Sequence, residues 1–348
     1  MTGNTGTRRV LTKAMKIAIP TVITVGLCYV LFTGVDFNTM MEVIRRDCNF
    51  WWIGLGMAIS ILSHVVRAMR WQIQLNALSI FPPLKWIVLS IFGTYAVNLV
   101  FPRLGEIWRT GYIAARQKAP FTTVFGSMVA DRLTDTITVL TLSLITFLAA
   151  APALIAFVTR YPEVYRGIMR LVTSPWIWAI IIIAIIAAWL FFTMRTKNSF
   201  ILKVRKAIRE LWQGFAVIAH MKGRLRWLLL TVAIWGCYFI ELYVAFYAFP
   251  FTTEILHNHG IIAPLVCFCL SSIAMGIPSN GGIGPWQIAV IFGLTIYAPA
   301  FATETVAETF RVNATAFANL VLGMQTLLLI LLGIITFVAI ALSGRRHL

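Results

Sequence analysis

The first stretch that could carry chemistry is charged and follows directly on an apolar run. Residues 98–109 read Asn-Leu-Val-Phe-Pro-Arg-Leu-Gly-Glu-Ile-Trp-Arg and continue the apolar run 86–101. Pro102 and Gly105 interrupt a helix, and backbone groups freed in this way are tolerated at membrane depth only inside protein or beside a wet cavity. We therefore predict the tip of a broken helix, where charged side chains are candidates for a functional site. A loop at the membrane surface is the alternative.

A second charged motif opens an otherwise apolar helix. Asp131 and Asp135 are four residues apart and therefore share one helix face, with Arg132 beside them. Carboxylates at membrane depth need partners, and Arg103 and Arg109 of the first stretch are the predicted ones. The residual positive charge of such a cluster could hold a phosphate, because guanidinium groups bind phosphate oxygens in a bidentate fork. The alternative is a salt-bridge network that only fixes the fold.

A third motif is rich in glycine and lies in the second half of the chain. Residues 278–285 read Pro-Ser-Asn-Gly-Gly-Ile-Gly-Pro. This composition lets the backbone approach a ligand closely and is predicted to leave free amides pointing at the break. If Pro285 opens the following helix, the N-terminus of that helix supplies a partial positive charge suited to an anion.

One carboxylate stands apart from these motifs. Glu241 lies within the apolar run 227–250, where it could take up a proton and couple transport. A structural pair with an arginine is the alternative. The predicted substrate-binding residues are Asn98, Arg103, Glu106, Arg109, Asp131, Arg132, Asp135, Asn280, Gly281, Gly282, Gly284 and Gln287.

The spacing of cysteine and histidine predicts neither a metal site nor a disulfide framework. The five cysteines form no CxxC pair, and no nucleophile with a base, P-loop or dinucleotide fingerprint can be assembled from the sequence. We therefore expect no cofactor, no metal and no enzyme activity.

The elements that must position these residues are membrane helices. The chain is 59% hydrophobic and 12% charged, which excludes an ordinary soluble protein and predicts an all-α polytopic membrane protein. The net charge of +17 comes from Lys and Arg in short connections between apolar runs. It therefore indicates orientation, and it predicts anionic or phosphate-bearing lipid headgroups as partners rather than nucleic acid.

The apolar runs predict six full spans and two re-entrant helical hairpins. The tendency of positive charge to stay inside favours a hairpin over 86–116 entered from the cytoplasm and one over 261–301 entered from outside. The halves 1–158 and 175–348 then have three spans each and opposite orientations, as in the inverted repeats of transporters. Both termini are predicted to be cytoplasmic, in a bacterial-type inner membrane, with an amphipathic cytoplasmic linker over 195–226.

Together the three motifs resemble the signature blocks of a known family. Residues 98–109, 131–135 and 278–284 are similar, in content and order, to blocks in the flippase-like membrane domain of lysylphosphatidylglycerol synthases. The resemblance implies re-entrant segments and movement of lipids with charged or phosphate headgroups between leaflets. This chain has Asp131 and Gln287 where the family usually has glutamate. The sequence stops after the membrane part, so we expect it to lack the soluble aminoacyl-transferase domain of fuller members.

The favoured hypothesis is therefore a flippase for a phospholipid or a polyprenyl-phosphate-type lipid. In it, Arg103 and Arg109 contact phosphate, the carboxylates hold these arginines or an ammonium group, and the glycine amides close a polar cavity between the hairpins. One alternative is a non-transporting membrane partner that binds anionic lipid or a lipid-modifying enzyme. Another is a transporter of a soluble anion. A homodimer is left open.

Overall fold

The computed structural model describes residues 37–101, 103–194, 199, 201–202, 205, 221–298 and 303–344, and within these ranges it consists of helices joined by short turns and loops, without a strand. The predicted all-α class is therefore confirmed. The helices are α1 (Phe37–Asp47), α2 (Phe50–Ala77), α3 (Leu84–Val100), α4 (Leu104–Gln117), α5 (Phe121–Ala149), α6 (Ala151–Arg160), α7 (Pro162–Val172), α8 (Pro175–Thr193), α9 (Arg224–Ala245), α10 (Pro250–His259), α11 (Ile262–Ala274), α12 (Pro285–Ile296) and α13 (Glu304–Gly344).

Among the described residues, five helices are long and apolar enough to cross a membrane: α2, α5, α8, α9 and α13. The number becomes six if α10 and α11, which meet at an angle of 111°, form one broken span. The predicted first span, over 17–34, lies outside the described residues, as does most of the predicted linker 195–226.

A long antiparallel pair forms the centre of the molecule. The backbone N–H of Asn49, before α2, donates to the carbonyl of Ala248 after α9 at 2.8 Å. At the opposite end, Gly223 lies against the side chain of Ile73. Helix α13 crosses this pair, where the Gln325 amide donates to the Ser60 hydroxyl at 3.1 Å. The side chains that meet here include the buried Ser60 and its partner Gln325, so polar groups lie between α2 and α13.

Helices α3 and α4 form an antiparallel hairpin beside this centre. The guanidinium of Arg116, near the end of α4, lies 3.4 Å from the ring centroid of Trp86, near the start of α3. The two arms have 17 and 14 residues, or about 25 and 21 Å of helix. Both are shorter than the roughly 30 Å of hydrocarbon in a bilayer, so neither arm is long enough to cross it alone.

Helices α11 and α12 form a second antiparallel hairpin. Gly293 of α12 packs directly on Cys267 of α11, and a Cβ at this glycine would lie 2.7 Å from the cysteine sulfur. The arms have 13 and 12 residues, or about 20 and 18 Å. The two hairpins are therefore alike in shape and in length.

One of the six predicted spans is divided in the structure. The apolar run 121–158, expected to form a single span, consists of two helices, α5 and α6, which meet at Ala150. Pro152 stands in the first turn of α6, where its missing N–H costs nothing. Inside a continuous helix the same proline would remove a hydrogen bond and clash with the preceding turn. The division at Ala150 avoids both.

Candidate functional site

The two aspartates of α5 lie at the centre of a buried ion-pair cluster. Arg70 of α2 donates to Asp131 at 2.6 Å and to Asp135 at 2.8 Å. Arg67, one turn earlier, donates to Asp135 at 2.8 Å and lies 3.6 Å from Asp131. Arg70 and Asp131 are both 0% exposed. The main partners of the aspartates are thus the arginines of α2, and the prediction that Arg103 pairs with them is wrong.

Arg109 is the cluster member with the weakest pairing. Its Nη2 lies 3.7 Å from Asp131, beyond hydrogen-bond range, and its Nε and Nη2 have no hydrogen-bond partner among the described residues. The guanidinium lies over the ring of Trp71, 4.6 Å from its centroid, and the residue is 1% exposed. A buried cation without hydrogen-bond partners is costly. This position therefore favours an anion that could supply the missing acceptors.

A second ion pair lies at the rim of the cluster. Arg132 of α5 contacts Glu106 of α4 at 2.5 Å, and their side chains are 34% and 23% exposed. Arg132 also lies 3.9 Å from Asp135, which links the rim to the buried part. The cluster as a whole brings together four arginines and three carboxylates. It therefore carries one positive charge in excess.

The tip of the first hairpin is held by close backbone packing. A Cβ at Gly105 would lie 2.1 Å from the carbonyl oxygen of Thr94, so only glycine fits there. The Asn98 side-chain oxygen accepts the Gly105 N–H at 2.9 Å. Arg103 precedes α4 with a φ of 64°, a left-handed conformation that is uncommon outside glycine. Asn98, predicted to bind substrate, is thus occupied in fixing the turn between the arms.

The tip of the second hairpin follows the predicted glycine pattern. Gly281, Gly282 and Gly284 have φ values of 63°, 85° and 94°, which side chains rarely adopt. Helix α12 begins at Pro285, as predicted. The Gly284 amide does not point to an open break, however, because it donates to the side-chain oxygen of Gln287 at 2.7 Å.

Gln287 uses both ends of its side-chain amide. Its oxygen accepts from Gly284, and its nitrogen donates to the side-chain oxygen of Asn319 on α13 at 2.5 Å. The residue is 6% exposed. Gln287 therefore joins the second tip to the central helix α13, whereas the sequence predicted a role in substrate binding.

The two hairpin tips touch each other. The Arg103 guanidinium donates to the backbone carbonyl of Gly276, at the end of the first arm of the second hairpin, at 2.8 Å. The side chain of Leu99 lies against Gly281, so close that a Cβ there would be 2.6 Å from it. Asn280 takes part in the turn, where its carbonyl accepts the N–H of Ile283 at 3.1 Å. The tips of the two hairpins, predicted to meet, are in direct contact.

Glu241 has polar partners but no cation. Its side chain lies beside Ser60 on α2 and Gln325 on α13, and the Gln325 amide donates to the Ser60 hydroxyl at 3.1 Å. Among the residues that the structure describes, no ion pair includes it. The alternative of a structural pair with an arginine is therefore wrong for this part of the chain.

Two cavities lie away from this cluster. A cleft of about 490 Å³ is lined by residues that include Asp47 and His257, and a cavity of about 340 Å³ by residues that include Arg160 and Tyr297. Neither is lined by the hairpin tips or by the ion-pair cluster. The described residues also contain no group of three or more His, Cys, Asp or Glu placed to hold a metal ion.

Comparison with known proteins identifies the family. The family described as the lysylphosphatidylglycerol synthase TM region matches residues 17–323. The chain belongs to this family. The resemblance based on the three motifs is thereby confirmed, and the match lies in the membrane region of the lysylphosphatidylglycerol synthases. This family is linked to lipid flippase-like membrane function. Comparisons with curated proteins and with solved structures give no match.

Two members of the site in this lysylphosphatidylglycerol synthase TM region were not among the residues predicted from the sequence. Arg67 and Arg70 are three residues apart inside a 28-residue apolar helix. That spacing puts both on one face, just as the spacing of four does for Asp131 and Asp135. The two arginines lie on one face of a membrane helix, and the two aspartates lie on one face of another. This matching of opposite charges was the signal in the sequence that the two helices contact each other.

Proposed function

We propose that this protein moves a lipid with a phosphate-bearing headgroup between the two leaflets. The headgroup phosphate binds at Arg109, and the lipid tails stay in the bilayer. Membership of the lysylphosphatidylglycerol synthase TM region family supports lipids as the substrate class. The protein acts as a transporter and not as an enzyme.

The excess positive charge at Arg109 is the observation that carries this proposal. Charges in hydrocarbon are costly unless they are paired, so an unneutralised arginine is retained where it has a task. The Nε and Nη2 atoms that lack partners are donors along one edge of the planar guanidinium. Such a group binds two phosphate oxygens at once. One phosphodiester, with one negative charge, would neutralise the cluster.

The hairpins provide the path in this proposal. Two re-entrant hairpins enter from opposite sides of a bacterial-type inner membrane among six full spans, with both termini in the cytoplasm. The lengths of α3, α4, α11 and α12, each too short to span, support this arrangement. The two halves are then inverted repeats, whose interrupted helices meet near the midplane.

Arg109 is buried in the structure, so a headgroup can reach it only after a conformational change. The rim pair of Glu106 and Arg132 separates the buried arginine from the more exposed surface. The contact of Arg103 with Gly276 holds the two hairpin tips together. When both contacts open, the headgroup can reach Arg109. The contacts close again after the headgroup has passed to the other leaflet, and this completes one exchange. The proposal thus gives Arg103 a gating role.

Exchange of a tail-labelled fluorescent phosphatidylglycerol in proteoliposomes tests the proposal, with dithionite added outside to quench the outer leaflet. The wild type is expected to expose the inner-leaflet label, and Arg109→Met to lose this activity. Arg166→Met replaces an exposed arginine outside the cluster and serves as the matched control, with wild-type exchange. Equal exchange by Arg109→Met and the wild type would refute the proposed site. Competition by inorganic phosphate inside the vesicles would indicate a soluble-anion transporter instead.

A further inference from the structure

A carboxyl group without a cation lies at the junction of three central helices. Glu241 of α9 faces Gly56 of α2. A Cβ added at Gly56 would lie 3.4 Å from the backbone carbonyl oxygen of Glu241 and 3.8 Å from its Cγ. The Ser60 hydroxyl of α2 and the Gln325 amide of α13 lie beside the Glu241 carboxyl group and are hydrogen-bonded to each other at 3.1 Å. On its own helix the thiol of Cys237 is a titratable neighbour. Within the part of the chain that the structure describes, no cation pairs with this carboxyl group.

A buried histidine occupies the next turn of α2. His64 is 3% exposed, and neither of its ring nitrogens has a hydrogen-bond partner among the described residues. The ring stacks on Tyr95 of α3, with centroids 4.5 Å apart. Ser60, His64 and Arg67 follow one another at spacings of four and three, so they form one row along the helix. An imidazole with two unused nitrogens thus lies between the carboxyl group and the ion-pair cluster.

The polar row continues into the cluster. Tyr95 lies near Tyr238 of α9. The Tyr238 hydroxyl accepts from the Arg67 Nε at 3.0 Å. Arg67 in turn holds Asp135 at 2.8 Å. Polar side chains therefore lie at intervals between Glu241 and the site proposed for the phosphate, with His64 between the hydrogen-bonded groups at either end.

We propose that Glu241 is a proton-binding group that couples lipid movement to a proton gradient, with His64 as the relay between it and the cluster side. This inference rests on the proposed function, because it supplies the energy source for that transport. In hydrocarbon, a carboxylate without a cation is costly, and chains of acids and histidines mark proton relays in transporters. The step itself only moves a proton between a carboxyl oxygen, an imidazole nitrogen and water, so no oxidant or reductant is needed.

The neutral and ionised forms of Glu241 have different effects on the junction. The neutral acid brings no charge to the pair of Ser60 and Gln325 and leaves α2, α9 and α13 packed. Loss of the proton leaves a bare charge among uncharged partners, and water must enter to solvate it. Proton release thereby opens the central helices, and proton binding closes them.

Two measurements on the reconstituted full chain test this inference. The first is infrared difference spectroscopy in a pH titration, which reports a protonated carboxyl group directly and does not depend on transport. The expected result is a carboxylic acid band in the wild type that is lost in Glu241→Gln. Glu254→Gln, which changes an exposed acid of α10, is the matched control and keeps the band.

The second measurement is the response of lipid exchange to an imposed pH gradient. Glu241→Gln is expected to exchange lipid without any response to the gradient. His64→Phe keeps the aromatic ring on Tyr95 but removes both nitrogens, and it is expected to slow the response. An unchanged gradient response in Glu241→Gln, or no carboxylic acid band in the wild type, would overturn the inference. Absence of exchange in the wild type refutes the proposed function, and the infrared result still decides whether Glu241 binds a proton.

Discussion

Two arginines of the same cluster are expected to respond in opposite ways to the same substitution. Arg70 and Arg109 are both fully buried. Arg70 donates to both aspartates within 2.8 Å and lies 3.3 Å from the Thr231 hydroxyl. Arg109 has no hydrogen bond to a carboxylate; its Nη2 lies 3.7 Å from Asp131, and its guanidinium lies over the ring of Trp71. Replacement of each by Met keeps most of the volume and removes the charge.

The expected loss of stability differs by several kcal/mol. Arg70→Met removes the shortest contacts of two buried carboxylates, and breaking a buried ion pair in this way costs about 3 to 5 kcal/mol. Arg109→Met loses a buried cation–ring contact of about 2 kcal/mol. It also removes the cost of burying a charge that is hydrogen-bonded to no carboxylate, which offsets that loss. We therefore expect the stability of Arg109→Met to lie within about 1 kcal/mol of the wild type.

Denaturant unfolding in mixed micelles, followed by tryptophan fluorescence, measures this difference, and the exchange assay is run on the same preparations. Arg70→Met should unfold at lower denaturant concentration, whereas Arg109→Met should unfold like the wild type but fail to exchange lipid. A loss of stability in Arg109→Met as large as that in Arg70→Met would refute the reasoning. It would mean that Arg109 serves the fold, and the anion site would then lose its main support.

Three further substitutions test the hairpin tips. Gly105→Ala places a methyl group 2.1 Å from a backbone carbonyl of the other arm, so we expect poor folding, measured as loss of monodisperse protein in gel filtration. Arg103→Gly keeps the left-handed backbone but removes the bond to Gly276; a faster exchange rate than in the wild type would fit a gating contact, and an unchanged rate would contradict it. Gln287→Glu sets two acceptors against each other at Asn319, and thermal unfolding is expected at a lower temperature, by a few degrees for about 1 kcal/mol.

The helix breaks could be predicted from sequence because their causes are local. Gly105 and the glycines at 281, 282 and 284 impose backbone geometry that other residues do not fit. Pro285 can begin a helix but cannot continue one. Glycine and proline restrict the backbone only within a few residues, so the positions of the two hairpin turns and the start of α12 follow from the printed sequence.

The partners of the aspartates could not be assigned in the same way. Which helix lies beside α5 is decided by packing of whole helices, and spacing along the chain carries little information about it. Arg103 was assigned to the aspartates because it is near in sequence to Arg109, whereas the left-handed turn directs it to the other hairpin. Arg67 and Arg70 come from α2, more than sixty residues before Asp131 and Asp135. A pairing at this separation depends on the tertiary fold.

Charge and hydrogen bonding together limit what the cluster can hold. A cationic headgroup would need a carboxylate oxygen, but Asp135 is engaged by Arg67 and Arg70. The third carboxylate of the cluster, Glu106, is paired with Arg132. The second oxygen of Asp131 faces Arg67 and Arg109 at 3.6 and 3.7 Å, where an ammonium group would meet two positive charges. The second hairpin adds no carboxylate, because Gln287 stands at its tip. The ion-pair cluster and the second hairpin therefore both favour an anion over a cation. The lipid expected to exchange best is one whose only headgroup charge is its phosphate.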